Sequence, residues 1–176
     1  MSVEEIEAAK SAFIIYDDFP IKGQSFRDIQ PVLQCPQHVQ TIRKVLFNQW
    51  KNKGITKVLV SESMGYFFGS ILAVDINAGI VMARKAGKLP GPVISLDYFL
   101  LHKNKNESLE VEMGAINEND VVLIHDDSVY TGGTINAIQE VLKQMNVKNI
   151  FMSFVFQIDS GKFEMNERCQ TVMHFD

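Results

Sequence analysis

The sequence predicts an α/β domain whose central, mainly parallel sheet is flanked by helices. Three observations carry that prediction. The segments 80–83 and 121–124 are short apolar runs, as strands buried on both faces are, and 57–62 and 149–157, the latter by its alternating apolar content, also read as strands. They alternate with helical segments, 38–50 and 135–144, whose apolar residues recur at helical spacing. Small-residue turns stand at strand ends, where open α/β sheets bind ligands.

In chain order, Ser2 is placed to cap a helix over 2–16, with Glu4 and Glu5 in its first turn and Ile6, Phe13 and Ile14 as its apolar positions. Pro20, Gly23 and Pro31 mark 18–33 as a loop. The helix over 38–50 puts Val39, Ile42, Val45, Leu46 and Trp50 at core positions, and Gly54 follows its end. The strand 57–62 turns through Ser63-Met64-Gly65 into a helix ending near 77. Next come the strand 80–83, a basic run, and two strands, 93–101 and 108–113, around the polar loop 102–107. The strand 121–124, ended by charge, leads to the helix 135–144, the strand 149–157 and a short strand over 171–175.

Composition narrows the function. A chain of 176 residues, 46% hydrophobic and 22% charged, fits one ordered domain, expected over 1–176. A net charge of −4 argues against a nucleic-acid partner, because neutralising phosphates requires a basic field. Cys35 and Cys169 have no metal or CxxC spacing, which fits a reducing cytoplasm. The acidic N-terminus has no leader pattern, and no stretch approaches the length of a membrane span, so no membrane partner is expected.

The chemistry concentrates in 121–134. Asp126 and Asp127 offer hard oxygen acceptors for vicinal hydroxyls or a magnesium ion. Thr131-Gly132-Gly133-Thr134 follows at a helix start, where unshielded backbone N–H groups, the helix dipole and two hydroxyls suit a phosphate. A bare TGGT is also compatible with an ordinary turn packed through glycine. A second anion site is offered by Arg84, Lys85 and Lys88, three cations in five residues, for which a solvated basic loop is the alternative.

The stretch from Val121 to Thr134 resembles the ribose-phosphate signature of type I phosphoribosyltransferases. That resemblance implies that Asp126 and Asp127 contact the ribose of phosphoribosyl pyrophosphate, and that Ser128, Tyr130, Thr131, Gly132, Gly133 and Thr134 hold its phosphate end. Asp-Phe-Pro, Gly, Phe-Arg-Asp-Ile and Pro-Val-Leu between Asp18 and Leu33 are similar to the hood of the adenine phosphoribosyltransferase family. There Ser25 and Arg27 would read a purine through backbone groups while Phe26 stacks on it; a core plug is the alternative for Phe26. Arg-Lys-x-Gly-Lys-Leu-Pro-Gly at 84–91 is similar to the family's pyrophosphate segment, which acts partly across a dimer interface, and Glu62, Ser63 and Gly65 match its pyrophosphate loop. Asp159 to Phe163 resemble its late Gly-basic turn. The family pattern implies a hood at about 1–35, a core at about 36–176, a flap at about 97–113 and a homodimer.

Three positions leave that pattern. Met64 replaces a common arginine and removes a charge-assisted contact of about 1.5–3 kcal/mol. Alignment through Tyr98 sets Leu101 and His102 where the flap's Glu-Tyr is expected; the purine proton would then fall to His102, Glu107, a backbone carbonyl or water. Tyr130 replaces a small residue and would stack on a base or ribose, or narrow the pocket. The reaction implied is phosphoribosyl transfer to a purine, with adenine expected and Mg2+ carried mainly by the substrate diphosphate. The alternatives are another base, such as a 6-oxopurine, and a catalytically silent binding or regulatory protein.

Overall fold

The computed structural model describes residues 2–100 and 105–176. Helix α1 (Val3–Ser11) starts as expected: the Ser2 hydroxyl accepts from the Glu5 amide, and the Glu5 carboxylate accepts from the Ser2 amide at 2.9 Å. It stops at Ser11 rather than 16. Ile14, Ile15 and Tyr16 instead enter β1 (Ile14–Asp17), antiparallel to β2 (Ser25–Asp28). β-branched and aromatic residues lose side-chain freedom in a helix and fit a paired strand, so the hairpin displaces the expected last helical turn and part of the expected loop. The rest of that loop contains the short α2 (Gln30–Leu33). Helix α3 (Pro36–Trp50) begins two residues before the expected 38, since proline's φ suits a first helical position.

The other strands are β3 (Lys57–Ser61), β4 (Gly79–Lys85), β5 (Val93–Leu100), β6 (Lys105–Glu112), β7 (Val121–Val129), β8 (Asn149–Ile158) and β9 (Cys169–Phe175). They form one sheet in the order β5-β6-β4-β3-β7-β8-β9. From β4 to β9 all neighbours are parallel; β6 is antiparallel to both β4 and β5. After β3 comes α4 (Gly65–Asp75) and after β7 comes α5 (Gly133–Gln144). Phe68, Leu72 and Ala73 of α4 pack with α1 and α3 in one apolar cluster, while Ile135, Ile138, Val141 and Leu142 of α5 belong to another. Burying such side chains contributes roughly 1.5–3 kcal/mol each. Because the two helices cover opposite faces, the boundary between β3 and β7 is the switch point where a ligand crevice forms.

Five strands exceed their expected limits because a partner continues: β4 runs on to Lys85 against β6 and β8 to Ile158 against β9, and β6, β7 and β9 do the same. The apolar run ends at Ile124, yet β7 carries on through the acids to Val129, paired with β8 as far as Gln157. Likewise β6 starts at Lys105, opposite Leu100, and β9 at Cys169, opposite Met152. Among the described residues no helix is long and apolar enough to cross a membrane, and both cysteines are free.

Candidate active site

Pairing between β3 and β7 ends at Val60↔His125, while β7 and β8 stay paired to Val129. The unpaired side of β7 beyond His125 is therefore open, and a cleft of about 720 Å³ lies over it, a size usual for small-molecule sites. Asp126 and Asp127 form its floor. Asp126 Oδ1 accepts the Asp127 amide at 2.9 Å. Burial, followed by the charge of Asp127, raises the Asp126 carboxyl well above the usual carboxylate range, and burial also raises Asp127. A pair held in this way is eased by hydroxyl donors or a cation.

The end of β7, the turn after it and the start of α5 bring Ser128, Tyr130, Thr131, Gly132, Gly133 and Thr134 into the same cleft. Gly132 has φ +76, and a Cβ on it would stand 2.5 Å from Phe163 Cδ2, so both backbone and packing require glycine. Helix α5 begins at Gly133, so its first turn starts among the cleft-lining residues, and a helix N-terminus suits an anion. A strap from 159 to 163 braces this turn: the Ser160 hydroxyl donates to the Tyr130 carbonyl, and Phe163 packs edge-on against Phe154.

On the facing wall stand Glu62, Ser63, Met64, Arg84 and Lys85. Glu62 Oε2 accepts from Arg84 Nε at 3.3 Å and from the Lys85 amide at 3.0 Å. Burial works to raise the Glu62 carboxyl, but the Lys85 amide and the Arg84 guanidinium outweigh it and hold it below the usual range. Arg84 Nη1 also donates to the Lys88 carbonyl at 3.0 Å. Lys88 itself does not line the cleft of this chain, and neither does Gly65. A Cβ on Gly65 would lie 2.8 Å from the His125 carbonyl, so that glycine lets α4 approach β7 beneath the acids.

Ser25, Phe26 and Arg27 close the remaining end. Phe26 is 42% exposed and meets Phe19 edge-on at 5.5 Å, which sets aside a core plug. The Ser25 hydroxyl donates to Asp17 Oδ1 at 2.7 Å, and Arg27 donates to the Asp176 carbonyl at 2.6 Å while lying over the Phe175 ring. The Ser25 hydroxyl and one Arg27 guanidinium nitrogen are thus engaged within the chain, while the Phe26 ring is left exposed at the cleft.

Two cleft residues had no role in the sequence reading beyond an alignment point and one of several proton carriers: Tyr98 and Glu107. They face each other across β5 and β6. Burial raises the Tyr98 phenol, a hydrogen bond with the Thr134 hydroxyl opposes this, and the charges of Glu107 and Asp126 add to it. Leu101 and His102 lie outside the described residues. Behind the acids, Trp50 Nε1 donates to Ser153 Oγ at 3.1 Å, and that hydroxyl meets His125 Nδ1 at 3.1 Å. Among the described residues no cluster of three or more His, Cys, Asp or Glu is disposed to hold a metal.

An acid pair at the end of one central strand, continued by an anion cradle and placed at the sheet's switch point, belongs to the type I phosphoribosyltransferase class. No protein-family model matches the chain. It is 40% identical over 141 residues to the adenine phosphoribosyltransferase of Phocaeicola vulgatus, covering 80% of each protein. To the Aliivibrio salmonicida enzyme of that name it is 35% identical over 158 residues, 90% of this chain and 86% of the other. The crystal structure of the Giardia lamblia APRTase complexed with 9-deazaadenine superposes with a TM-score of 0.90 at 32% identity, covering 97% of this chain and 98% of that one. The Rhodothermus marinus adenine phosphoribosyltransferase gives 0.88 at 30% identity, over 99% and 100%. Relatives this similar along most of both lengths make the chain a member of the adenine phosphoribosyltransferase family.

Proposed function

We propose that the chain transfers the 5-phosphoribosyl group of phosphoribosyl pyrophosphate to adenine, giving AMP and pyrophosphate. One observation carries this reading: the Asp126-Asp127 pair and the 131–134 cradle share one cleft and one continuous stretch of backbone. Positive charge develops at the sugar's anomeric carbon in the transition state, and the acids answer it while binding the ribose hydroxyls. Ser128 and Tyr130 flank the cradle, which takes the 5-phosphate. Arg84 and Lys85, with Ser63, receive the pyrophosphate; Glu62 acts as the orienter of Arg84, since a carboxylate held by two cationic residues does not itself attract an anion. Backbone groups of Ser25 and Arg27 read the base, and Phe26 stacks on it.

The donor set at the floor is hard oxygen, which fits Mg2+ held by the substrate diphosphate with Asp126 and Asp127 nearby. That ion, when bound, neutralises the leaving group's charge. The hood at about 1–35 and the flap at about 97–113 close the two ends of the cleft over the core. The chain works as a homodimer in the cytoplasm. Supporting the dimer, Ile80 and Met82, in register with core residues Val58 and Val60, are 45% and 44% exposed, and Phe67 and Val74 leave an apolar stripe on α4. Lys88, outside its own cleft, serves the second copy's.

The test is a screen of purine and pyrimidine bases with phosphoribosyl pyrophosphate and Mg2+, reading pyrophosphate release. Adenine is expected to be the substrate, and the double variant Asp126→Asn, Asp127→Asn to lose at least about 10²-fold in kcat while remaining folded. Release with a 6-oxopurine alone would move the specificity to the pocket around Tyr130, and absence of release with every base would make this a silent binding protein.

A further inference from the structure

Resting on that reading, the base has two faces to cover, and the hood supplies a ring for one of them. A flat aromatic base is held best when apolar surface meets both faces, because a face left in water forfeits its stacking contact. Among the described residues, three large apolar side chains line the cleft and stay exposed: Phe19, Phe26 and Tyr130. Phe19 and Phe26 both belong to the hood and pack edge-on against each other. Tyr130, 43% exposed, is the one of the three that the core contributes.

The backbone on either side of Tyr130 is fixed while its ring is free. Val129, the last residue of β7, is buried in the α5-side cluster, and Gly132 is locked against Phe163. Between them the Tyr130 carbonyl accepts the Ser160 hydroxyl. That bond also sets where the residue stands. One position before Ser160, the Asp159 amide donates to the Phe175 carbonyl at 3.0 Å, and the Arg27 guanidinium carbon lies 5.2 Å from the centre of the Phe175 ring. Arg27 follows Phe26 directly. A short series of contacts therefore joins Tyr130 to the hood, and Ile158 and Asp159, beside it, line the same cleft. The turn thus carries its phosphate cradle from Thr131 to Thr134 and, one residue earlier, a phenol ring tied to the hood end. A ring rooted this firmly and left in water is suited to cover a ligand's face.

We propose that Tyr130 is a base-binding residue: its ring covers the face of the base that Phe26 leaves open, so that adenine, and AMP once formed, sits between one aromatic side chain of the hood and one of the core. The test is calorimetric binding of AMP and of ribose 5-phosphate, which lacks the base, to the full-length chain and to Tyr130→Ala and Tyr130→Phe, together with KM for adenine. Loss of a stacking ring should weaken AMP binding to Tyr130→Ala about 5- to 100-fold and raise KM for adenine in parallel. Ribose 5-phosphate should bind that variant as it binds the unaltered chain, and Tyr130→Phe, which keeps the ring, should recover most of the AMP affinity. Unchanged AMP binding in Tyr130→Ala, an equal loss for ribose 5-phosphate, or a loss in Tyr130→Phe as large as in Tyr130→Ala would overturn the assignment. If the unaltered chain binds AMP but makes none from adenine, the transferase reading fails by itself and the AMP comparison still decides Tyr130; if it binds no AMP, both fail.

Discussion

His125 shows how one side chain ties the site to the core. It is fully buried between the acids and Ser153, and burial pushes its imidazole down to about 3. The unfolded chain therefore binds a proton that the folded chain refuses, and stability is lost as pH falls from near 6.5 toward 3. Between about pH 7 and about pH 5 that loss is about 2 kcal/mol. Asp126 and Asp127 carry the opposite sign: their raised carboxyls favour the fold at low pH and weaken it as pH rises through the folded values. Urea unfolding of the unaltered chain and of His125→Leu at both pH values separates the two, because only the histidine's share disappears; equal pH sensitivity in the two proteins would contradict it. Sequence placed both acids but passed over His125, since nothing in an apolar run says which ring nitrogen meets a serine 28 residues away.

At the scale of elements, the turn between β7 and α5 depends on one glycine and one strap. Gly132→Ala imposes a left-handed φ on a residue with a side chain, costing about 1–2 kcal/mol, and drives Phe163 aside at a further 1–3 kcal/mol. The variant should melt several degrees lower, and its KM for phosphoribosyl pyrophosphate should rise more than tenfold as the cradle's amides turn away. An unchanged KM would show that the cradle does not hold the phosphate. TGGT was legible as a turn opening a helix at a strand end; Phe163, the reason the first of its glycines cannot be replaced, was not. The same limit explains the helix expected over 2–16. Its start was readable from local capping chemistry, whereas its end was decided by a pairing with Ser25 to Asp28 that no local pattern announces.

For the whole molecule, the apolar surface shared by β4 and α4 is one that a single chain leaves exposed. Met82→Glu combined with Phe67→Glu should convert a dimer to a monomer in sedimentation, and weaken pyrophosphate binding if Lys88 reaches across the interface; an unaltered chain that sediments as a monomer would rule out this dimer. By itself the sequence determined the α/β class, the positions of the parallel strands and the acid-and-cradle stretch. Those follow from hydrophobic period, glycine and charge within a few residues of one another. Tertiary structure decided how far each strand runs, which side of β7 stays open, that Arg84 is drawn to Glu62 while Lys88 stays outside, and that Tyr130 is tied through the strap to the hood end of the site. These rest on pairing and packing between residues distant in the chain, where the energy of a contact depends on a partner that local sequence does not contain.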